Sequence, residues 1–244
     1  MSLQKFTDAP IQNRILSALP RDECERLLSR MSLVRLPRGK CLCNTGQQLP
    51  YAHFINSGMI SLMATSQGGS SVEIGVVGSE GCVGIPVVLG MTVMPYEVDV
   101  QVEVETAWKI SIGALREEFN RGGKLQELLL KYMQVVIGQI VQSALCNRFH
   151  TVEQRFVRWL LVARDRINSD TFMLTHENIA QLLGTPRTAV TMIARQLQKV
   201  GLISYSRGTI TILNPKGLEE IACECYLITK ESLYDFPQNR SRAA

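Results

Sequence analysis

Residues 124–149 form a long apolar stretch with helical spacing, since they contain no proline and one glycine. Apolar side chains recur every three to four residues along one side, and further apolar side chains fall on the other sides. A helix that is apolar almost all round must be buried almost all round. The chain's own core can cover one side of the helix, and a second copy of the helix is the simplest cover for the other side. The central helix of a larger monomeric core would show the same pattern. We predict a dimerisation helix with the contact residues Leu125, Leu129, Tyr132, Met133, Val136 and Ile140.

Between residues 33 and 112 the pattern changes to short β-branched runs separated by glycine-containing turns. Residues 98–105 alternate between apolar and polar side chains, which is the period of a strand with one buried face. Several short strands at regular spacing predict a β-sandwich or barrel. The predicted strands are residues 53–55, 59–64, 72–77, 98–105 and 108–112.

A short helix is predicted near residue 176. Thr175 is placed as its N-cap, because the threonine hydroxyl can accept a hydrogen bond from a free amide of the first turn. Leu174 and Ile179 then have the spacing of a hydrophobic staple. Gly184 ends the helix, where a left-handed conformation costs little.

A second short helix follows at once. Thr185 and Pro186 open it as N-cap and first helical residue, and Gly201 ends it. Residues 202–213 then have the pattern of a β-hairpin. Two short helices joined by a glycine turn and followed by a hairpin predict a winged helix-turn-helix, whose second helix fits the major groove of DNA.

The bulk composition narrows the class of protein. The formal net charge is +4, and the whole surplus lies after residue 145, which weakly favours a polyanionic partner for the C-terminal part. The first ten residues lack the basic and apolar segments of a signal peptide, and no apolar stretch approaches the ~20 residues that are needed to span a membrane. With seven cysteines spread along the chain, we expect a cytoplasmic protein with reduced thiols and no membrane association. Three histidines, no phosphate-binding glycine loop and no nucleophile elbow argue against an enzyme.

The order of these elements resembles the cyclic-AMP receptor and fumarate–nitrate regulator (Crp/Fnr) superfamily over residues 16–213. The β-roll pattern of that family matches residues 36–39, 44–46, 53–58 and 81–84, and its helix-turn-helix pattern matches residues 174–204. The resemblance implies an α+β fold with three parts. These are an N-terminal cyclic-nucleotide-binding-like β-roll (jelly roll) domain, a long dimerisation helix and a C-terminal winged helix-turn-helix domain, at residues 1–123, 124–149 and 150–244.

Residue by residue, the resemblance implies DNA base-reading positions at Arg187, Thr188, Thr191 and Met192. Arg187 keeps the arginine of the first such position, and arginine can hold O6 and N7 of guanine with two hydrogen bonds. Thr188 and Met192 stand where glutamate and arginine are common, so we expect this chain to read a different operator from the family's best-known one. The implied phosphate contacts are Thr175, His176, Thr185, Arg195 and Arg207.

The effector position departs further from the family. Members that bind a cyclic nucleotide hold the ribose with a glutamate after a glycine, and the phosphate with an arginine followed by serine or alanine. With Gly84 aligned, Ile85, Pro95 and Tyr96 occupy those positions. A buried phosphate would find no charged partner among them, which is strongly unfavourable. We therefore expect a degenerate effector pocket and no response to cyclic nucleotide.

The cysteines offer a weaker hypothesis. Iron–sulfur members of the superfamily carry an N-terminal cysteine cluster, whereas only Cys24 precedes the β-roll here. Cys41 and Cys43, like Cys223 and Cys225, are two residues apart, so each pair would share a face of a strand and have the spacing to bind a soft metal or to sense an oxidant. Free cysteines are more often small buried hydrophobes. We expect neither a cofactor nor a metal site.

Together these features predict a homodimeric, sequence-specific transcription regulator. Its partner is double-stranded DNA with half-sites about one turn (~34 Å) apart in a pseudo-palindrome, and the resemblance implies RNA polymerase as a further partner. The alternative is a ligand- or redox-sensing module whose C-terminal domain contacts a protein instead. Arginines on the exposed side of the second short helix would favour DNA.

Overall fold

The computed structural model describes residues 11–233, 236 and 237. Its helices are α1 (Arg14–Ser17), α2 (Arg21–Leu28), α3 (Ile85–Val88), α4 (Ile112–Asn120), α5 (Lys124–Phe149), α6 (Val152–Ile167), α7 (His176–Leu183), α8 (Arg187–Lys199), α9 (Pro215–Ile221) and α10 (Cys225–Glu231). Its strands are β1 (Ser32–Leu36), β2 (Cys41–Cys43), β3 (Tyr51–Ile55), β4 (Met59–Thr65), β5 (Ser71–Val77), β6 (Cys82–Val83), β7 (Glu97–Val102), β8 (Val104–Ser111), β9 (Thr171–Met173), β10 (Ile203–Ser206) and β11 (Thr209–Ile212). The mixed α+β architecture predicted from the sequence is confirmed.

The first eight strands form two four-stranded sheets, in the orders β1-β8-β3-β6 and β2-β7-β4-β5, with antiparallel pairing throughout. Apolar side chains from both sheets fill the space between them, among them Phe54 and Trp108 from the first sheet and Leu62 and Val98 from the second. The single strand predicted over residues 98–105 is wrong, because the chain leaves one sheet at Val102 and enters the other at Val104. Gly58 permits this crossing, since it has a φ of +79° and a Cβ atom there would collide with the backbone of Glu103.

Helix α5 covers the β-roll with the side that we predicted to form the dimer contact. Leu125, Leu129, Tyr132 and Val136 are buried in the chain's own core, and Met133 and Ile140 pack against that core. Gln139 adds a polar anchor, because its Oε1 accepts a hydrogen bond of 3.1 Å from the backbone N–H of Val76. The prediction that this face contacts a second copy is therefore wrong, because the most regular apolar stripe of the helix packs against the β-roll of the same chain.

A different side of α5 is apolar and exposed. Leu130, Ile137, Val141 and Leu145 are 45%, 53%, 62% and 41% exposed. The exposed positions 130, 134, 137, 141 and 144 follow the alternating four-three spacing of a coiled-coil seam. This second stripe of α5 is therefore not covered by the described part of the chain, and the expectation that a second copy covers the helix stays a prediction.

By length and composition α5 is also apolar enough to span a membrane, and no other helix among the described residues passes that test. The expectation that no segment reaches this length is wrong, because glutamine and serine interrupt the apolar runs without adding charge. The core helix of a soluble protein has the same composition. Tyr132 and Leu129 of α5 are fully buried in the β-roll core, which is the arrangement of a core helix.

The C-terminal part packs on the outer face of the sheet that contains β4 and β5. Met59, Met63 and Val76 from that sheet join a second core with Trp159 of α6 and the apolar faces of α7 and α8. Trp159 Nε1 donates a hydrogen bond of 2.9 Å to Glu73 on β5. The helix-turn-helix is thus held against the β-roll of the same chain.

A buried ion pair fastens the same junction. Arg166 Nε lies 2.9 Å from Glu80 Oε1, and both side chains are almost fully buried. Glu80 also accepts a hydrogen bond from the backbone N–H of Gly78. Arg166 is buried in the last turn of α6, because the turn between β5 and β6, which carries Glu80, lies over the end of that helix.

Candidate nucleic-acid interface

Helix α7 begins as its sequence predicts. Thr175 Oγ1 accepts a hydrogen bond from the Asn178 amide, and the Asn178 side chain accepts one from the Thr175 amide, which completes a capping box. Leu174 and Ile179 are both buried, as a hydrophobic staple requires. Gly184 ends the helix with a φ of +57°. The tight turn to the next helix is therefore encoded locally.

Helix α8 starts one residue later than predicted. Pro186 is its N-cap with an extended ψ of 140°, and Arg187 is the first helical residue, so the assignment of Thr185 as N-cap is wrong. The fixed φ of proline suits either position, and here its carbonyl accepts the first helical hydrogen bond, from the Ala189 amide. The shift leaves the register of the two faces of α8 unchanged.

Helix α8 has one buried apolar face and one exposed face. The inner face packs into the second core through Val190, Ile193, Ala194 and Leu197. On the outer face, the side chain of Arg187 is 68% exposed and Met192 is 63% exposed. Thr188 and Arg195 are exposed on the same side. Nothing in the described part of the chain covers the side chains that would face a DNA groove.

Thr191 differs from the other predicted base-reading residues, because its hydroxyl is already engaged. Thr191 Oγ1 lies 3.0 Å from the carbonyl oxygen of Arg187, to which it donates, and 3.0 Å from Nδ1 of His176. A hydroxyl that donates to the carbonyl accepts from a protonated Nδ1. The structure therefore connects Thr191 to His176 rather than leaving it free for a base.

His176 joins α7, α8 and the hairpin. Its ring stacks on Tyr205 with the ring centroids 4.2 Å apart and the planes 16° from parallel. Burial lowers the pKa of His176, and the positive charges of Arg187 and Arg195 lower it further, so the ring is neutral at neutral pH. His176 is half-buried, and its first role is to fix the hairpin beside α8.

The hairpin β10–β11 is the wing of the predicted motif, with β9 as the third strand of its sheet. Arg207 and Gly208 both have positive φ, which is typical of a type I′ turn and points Arg207 outward at its tip. The Tyr205 amide donates a hydrogen bond of 2.8 Å to Gln198 Oε1 on α8. Sequence reasoning missed both Gln198 and Tyr205, because a glutamine on a polar helix face and a tyrosine in a hairpin carry no special signal until the fold joins them.

These contacts create a polar depression of about 340 Å³ between α8 and the wing. Arg187 and Arg195 lie at its sides, and His176 with Tyr205 forms its floor. Thr175 at the start of α7 and Arg207 at the tip of the wing are exposed, and Thr185 is half-exposed. Two guanidinium groups around a depression give a surface suited to phosphate oxygens.

The predicted effector pocket is nearly filled by side chains. Gly84, Ile85 and Tyr96 line a cavity of about 10 Å³ together with Met133 and Val136 of α5. That volume is at the lower limit for a single water molecule, whereas ligand pockets hold about 300–1,000 Å³. Pro95 lies outside this lining and is exposed. The only polar side-chain groups at the cavity are the Tyr96 hydroxyl and the Cys82 thiol. Burial raises the pKa of the Tyr96 hydroxyl to about 12.

Comparison with protein families gives two matches in chain order. Residues 33–121 match a cyclic nucleotide-binding domain, and residues 154–221 match a Crp-like helix-turn-helix domain. Together the two matches cover more than half of the chain. Comparison with curated proteins finds no match to this sequence.

Solved structures give the same fold. A transcriptional regulator of the Crp/Fnr family from Eubacterium rectale is 18% identical and has a TM-score of 0.66, with 83% of this chain and 94% of that chain covered. The c-di-GMP responsive global regulator of Xanthomonas campestris is 17% identical with a TM-score of 0.66, and the coverage is 79% and 99%. FixK2 from Bradyrhizobium japonicum is 12% identical with a TM-score of 0.68, and the coverage is 79% and 98%.

Proposed function

Since the chain belongs to the Crp/Fnr family of DNA-binding transcription regulators, we propose that it acts as a homodimer on a pseudo-palindromic DNA site, without a cyclic-nucleotide effector. The observation that carries the proposal is the free outer face of α8, with Arg187 68% exposed at the first helical position. A protein of this kind works in the cytoplasm, and RNA polymerase is the partner through which it would act. It has no catalytic role.

Arg187, Thr188 and Met192 are the residues we assign to base reading. Arg187 can hold guanine with two hydrogen bonds, and the methyl groups of Thr188 and Met192 suit a thymine methyl. In the free protein Arg187 has only a weak ion pair of 3.9 Å with Glu177, and both side chains are largely exposed. Breaking that pair costs little, so Arg187 is available to DNA.

The phosphate contacts we assign are Thr175, Thr185, Arg195 and Arg207, with His176 beside them. Arg195 borders the depression between α8 and the wing, and Arg207 extends the positive surface to the wing tip. The neutral His176 ring adds no charge, and because its Nδ1 proton is engaged by Thr191 it supports the wing beside α8 rather than donating to a phosphate. Such contacts fix the register of a protein on the duplex without carrying sequence information.

We infer that a second copy of this chain packs on the exposed stripe of α5. The stripe has coiled-coil spacing over Leu130, Ile137 and Val141, and it lies opposite the side that packs on the β-roll. A twofold axis along α5 would pair identical residues and present two copies of α8 on one side of the dimer. That arrangement accounts for a site with inverted half-sites.

The small size of the cavity at Gly84 supports the proposal that the protein does not respond to a cyclic nucleotide. A cyclic nucleotide needs a pocket of several hundred Å³ and a cation for its phosphate. The space at Ile85 and Tyr96 is about 10 Å³ and holds no basic side chain. Binding would require α5 to separate from the β-roll and would leave the phosphate unpaired.

The experiment that tests the proposal is selection of bound duplexes from a random pool with the purified protein and no added nucleotide. We expect one enriched motif with twofold symmetry and half-sites about one helical turn apart. Adding cyclic AMP to the binding reaction should leave the affinity unchanged. A pool that shows no enrichment, or a motif without symmetry, would contradict the proposal.

A further inference from the structure

The structure brings together four side chains that lie far apart in the sequence. Cys146 is in the last turn of α5, His150 is the residue that ends that helix, Cys223 follows α9 and Cys225 begins α10. One ligand atom from each of them lies within 4.8 Å of all the others. No other such group of histidine, cysteine and acidic side chains is found in the part of the chain that the structure describes.

The distances fit a single tetrahedral metal ion. A zinc ion with Zn–S bonds of about 2.3 Å and Zn–N bonds of about 2.0–2.1 Å separates its ligand atoms by roughly 3.5–3.8 Å. The two sulfur atoms of Cys146 and Cys223 are 3.6 Å apart, and the sulfur of Cys225 is 3.4 Å from Nδ1 of His150. An iron–sulfur cluster distributes its ligands over several irons and would hold them farther apart.

The surroundings of the four residues have the features of a built metal site. His150 turns its other ring nitrogen, Nε2, to the carboxylate of Glu224 at 3.2 Å, which is the partner that orients metal-bound histidines in proteins. Gln142 Nε2 donates a hydrogen bond of 2.9 Å to the sulfur of Cys225. All three cysteines are buried, and His150 is 12% exposed. Two of the four ligand groups, His150 and Cys225, are therefore each held by a polar neighbour.

Charge balance supports the same conclusion. Three thiolates and a neutral imidazole around Zn²⁺ carry a net charge of about −1, which a buried site must offset. Arg158 and Arg155 of α6 both interact electrostatically with Cys146. The cluster thus lies beside the cations that a three-thiolate site needs.

We propose that Cys146, His150, Cys223 and Cys225 bind one zinc ion in a closed, structural site. With four protein ligands the ion has no open position, so its role is to hold chain segments together rather than to catalyse a reaction. It joins the end of α5 and the junction between α5 and α6 to the segment that connects α9 with α10. This proposal replaces the sequence-based expectation of no metal site, and it does not depend on the proposed DNA-binding function.

The first test measures zinc in the full-length protein purified without a metal-affinity tag. We expect about one zinc per chain by mass spectrometry of the metal, and replacement by Co²⁺ should give the visible absorption of a tetrahedral ion with thiolate-to-cobalt charge transfer. Chelation of the ion should lower the melting temperature, and added zinc should restore it. A protein that carries no zinc, takes up none in equilibrium dialysis and gives no cobalt spectrum would overturn the proposal.

Matched cysteine variants locate the ion. Cys146→Ser and Cys223→Ser each remove one ligand and should lose the bound zinc, whereas Cys41→Ser makes the same chemical change at an exposed cysteine outside the cluster and should keep it. If all three variants retain the same zinc content, the site is not at these residues and the proposal fails.

A milder variant covers the case in which a ligand substitution prevents folding. Glu224→Gln keeps all four ligands and removes only the charge that faces His150, so it should weaken zinc binding by about 10–100-fold while the protein stays folded. Unchanged zinc affinity would show that the carboxylate does not support a bound histidine. A disulfide between Cys146 and Cys223 in the isolated protein, seen as a mass loss of two hydrogens with no bound metal, would assign the cluster to thiol oxidation and overturn the zinc site.

Discussion

Replacing Ile137 with glutamate should separate the dimer and leave a folded monomer. Ile137 is 53% exposed in the middle of the free stripe of α5, between Leu130 and Val141. In a symmetric pair the two copies of residue 137 lie across the axis from each other. The substitution therefore places two carboxylates in an apolar seam, where neither has a partner.

The size of the effect follows from the exposed areas. Leu130, Ile137, Val141 and Leu145 are each about half exposed. Covering half of such a side chain contributes about 1 kcal/mol, or roughly 8 kcal/mol over both copies. Burying two unpaired carboxylates costs several kcal/mol per ion. Even a net loss of about 4 kcal/mol would weaken dimerisation about 1,000-fold.

Sedimentation equilibrium over a range of protein concentrations measures this change directly. Val200→Glu is the matched control, because Val200 is 67% exposed at the end of α8, outside the stripe. Val136→Glu is the complementary variant, because Val136 is 6% exposed in the β-roll core and its replacement should unfold the protein. The reasoning is refuted if Ile137→Glu keeps the dimer at the concentrations where the wild-type protein is dimeric.

Three further predictions concern the interior. Burial raises the pKa of Glu73 to about 7, so the unfolding free energy of the wild-type protein should fall by about 3 kcal/mol from this group as pH rises from 4.5 through 7. Urea denaturation at pH 4 and at pH 8 should show this fall in the wild-type protein but not in Glu73→Gln, and an equal fall in both proteins would contradict the assignment. Glu80→Gln should cost about 3–5 kcal/mol in the same assay, because it leaves the charge of Arg166 buried and unpaired, and a loss under 1 kcal/mol would show that the pair is not buried. Gly81→Ala should lower the melting temperature by several degrees, because a Cβ atom there collides with the hydroxyl of Tyr132, and an unchanged melting temperature would show that this packing relaxes freely.

The helix-turn-helix could be predicted closely because its signals are local. Thr175 caps one helix and Gly184 ends it through interactions within a few residues, so the sequence carries the whole pattern. The outward face of α8 follows from the helical period once its apolar side is known. The position of Arg187 and Arg195 on that face needed no tertiary information.

What the sequence did not reveal depends on contacts between distant segments. The periodicity of α5 shows two apolar sides, but not which one the β-roll takes, so Tyr132 and Val136 were placed on the wrong surface. Cys223 and Cys225 were noted as a pair, yet they lie before and at the start of a helix rather than on a strand. Their partners Cys146 and His150 are over 70 residues away, and the i, i+4 spacing of those two was the signal that could have linked them.

The central claim is that α8 binds DNA through its exposed arginine face. Fluorescence anisotropy with a selected duplex and a random duplex tests it most directly, using Arg187→Ala and the control Arg21→Ala, whose side chain is 92% exposed on α2. The account predicts a loss of about 1–3 kcal/mol for Arg187→Ala on the selected duplex, much less on the random one, and a steep fall of affinity with salt for the wild-type protein. Equal affinity of the two variants for the selected duplex, or binding that does not change with salt, would contradict it.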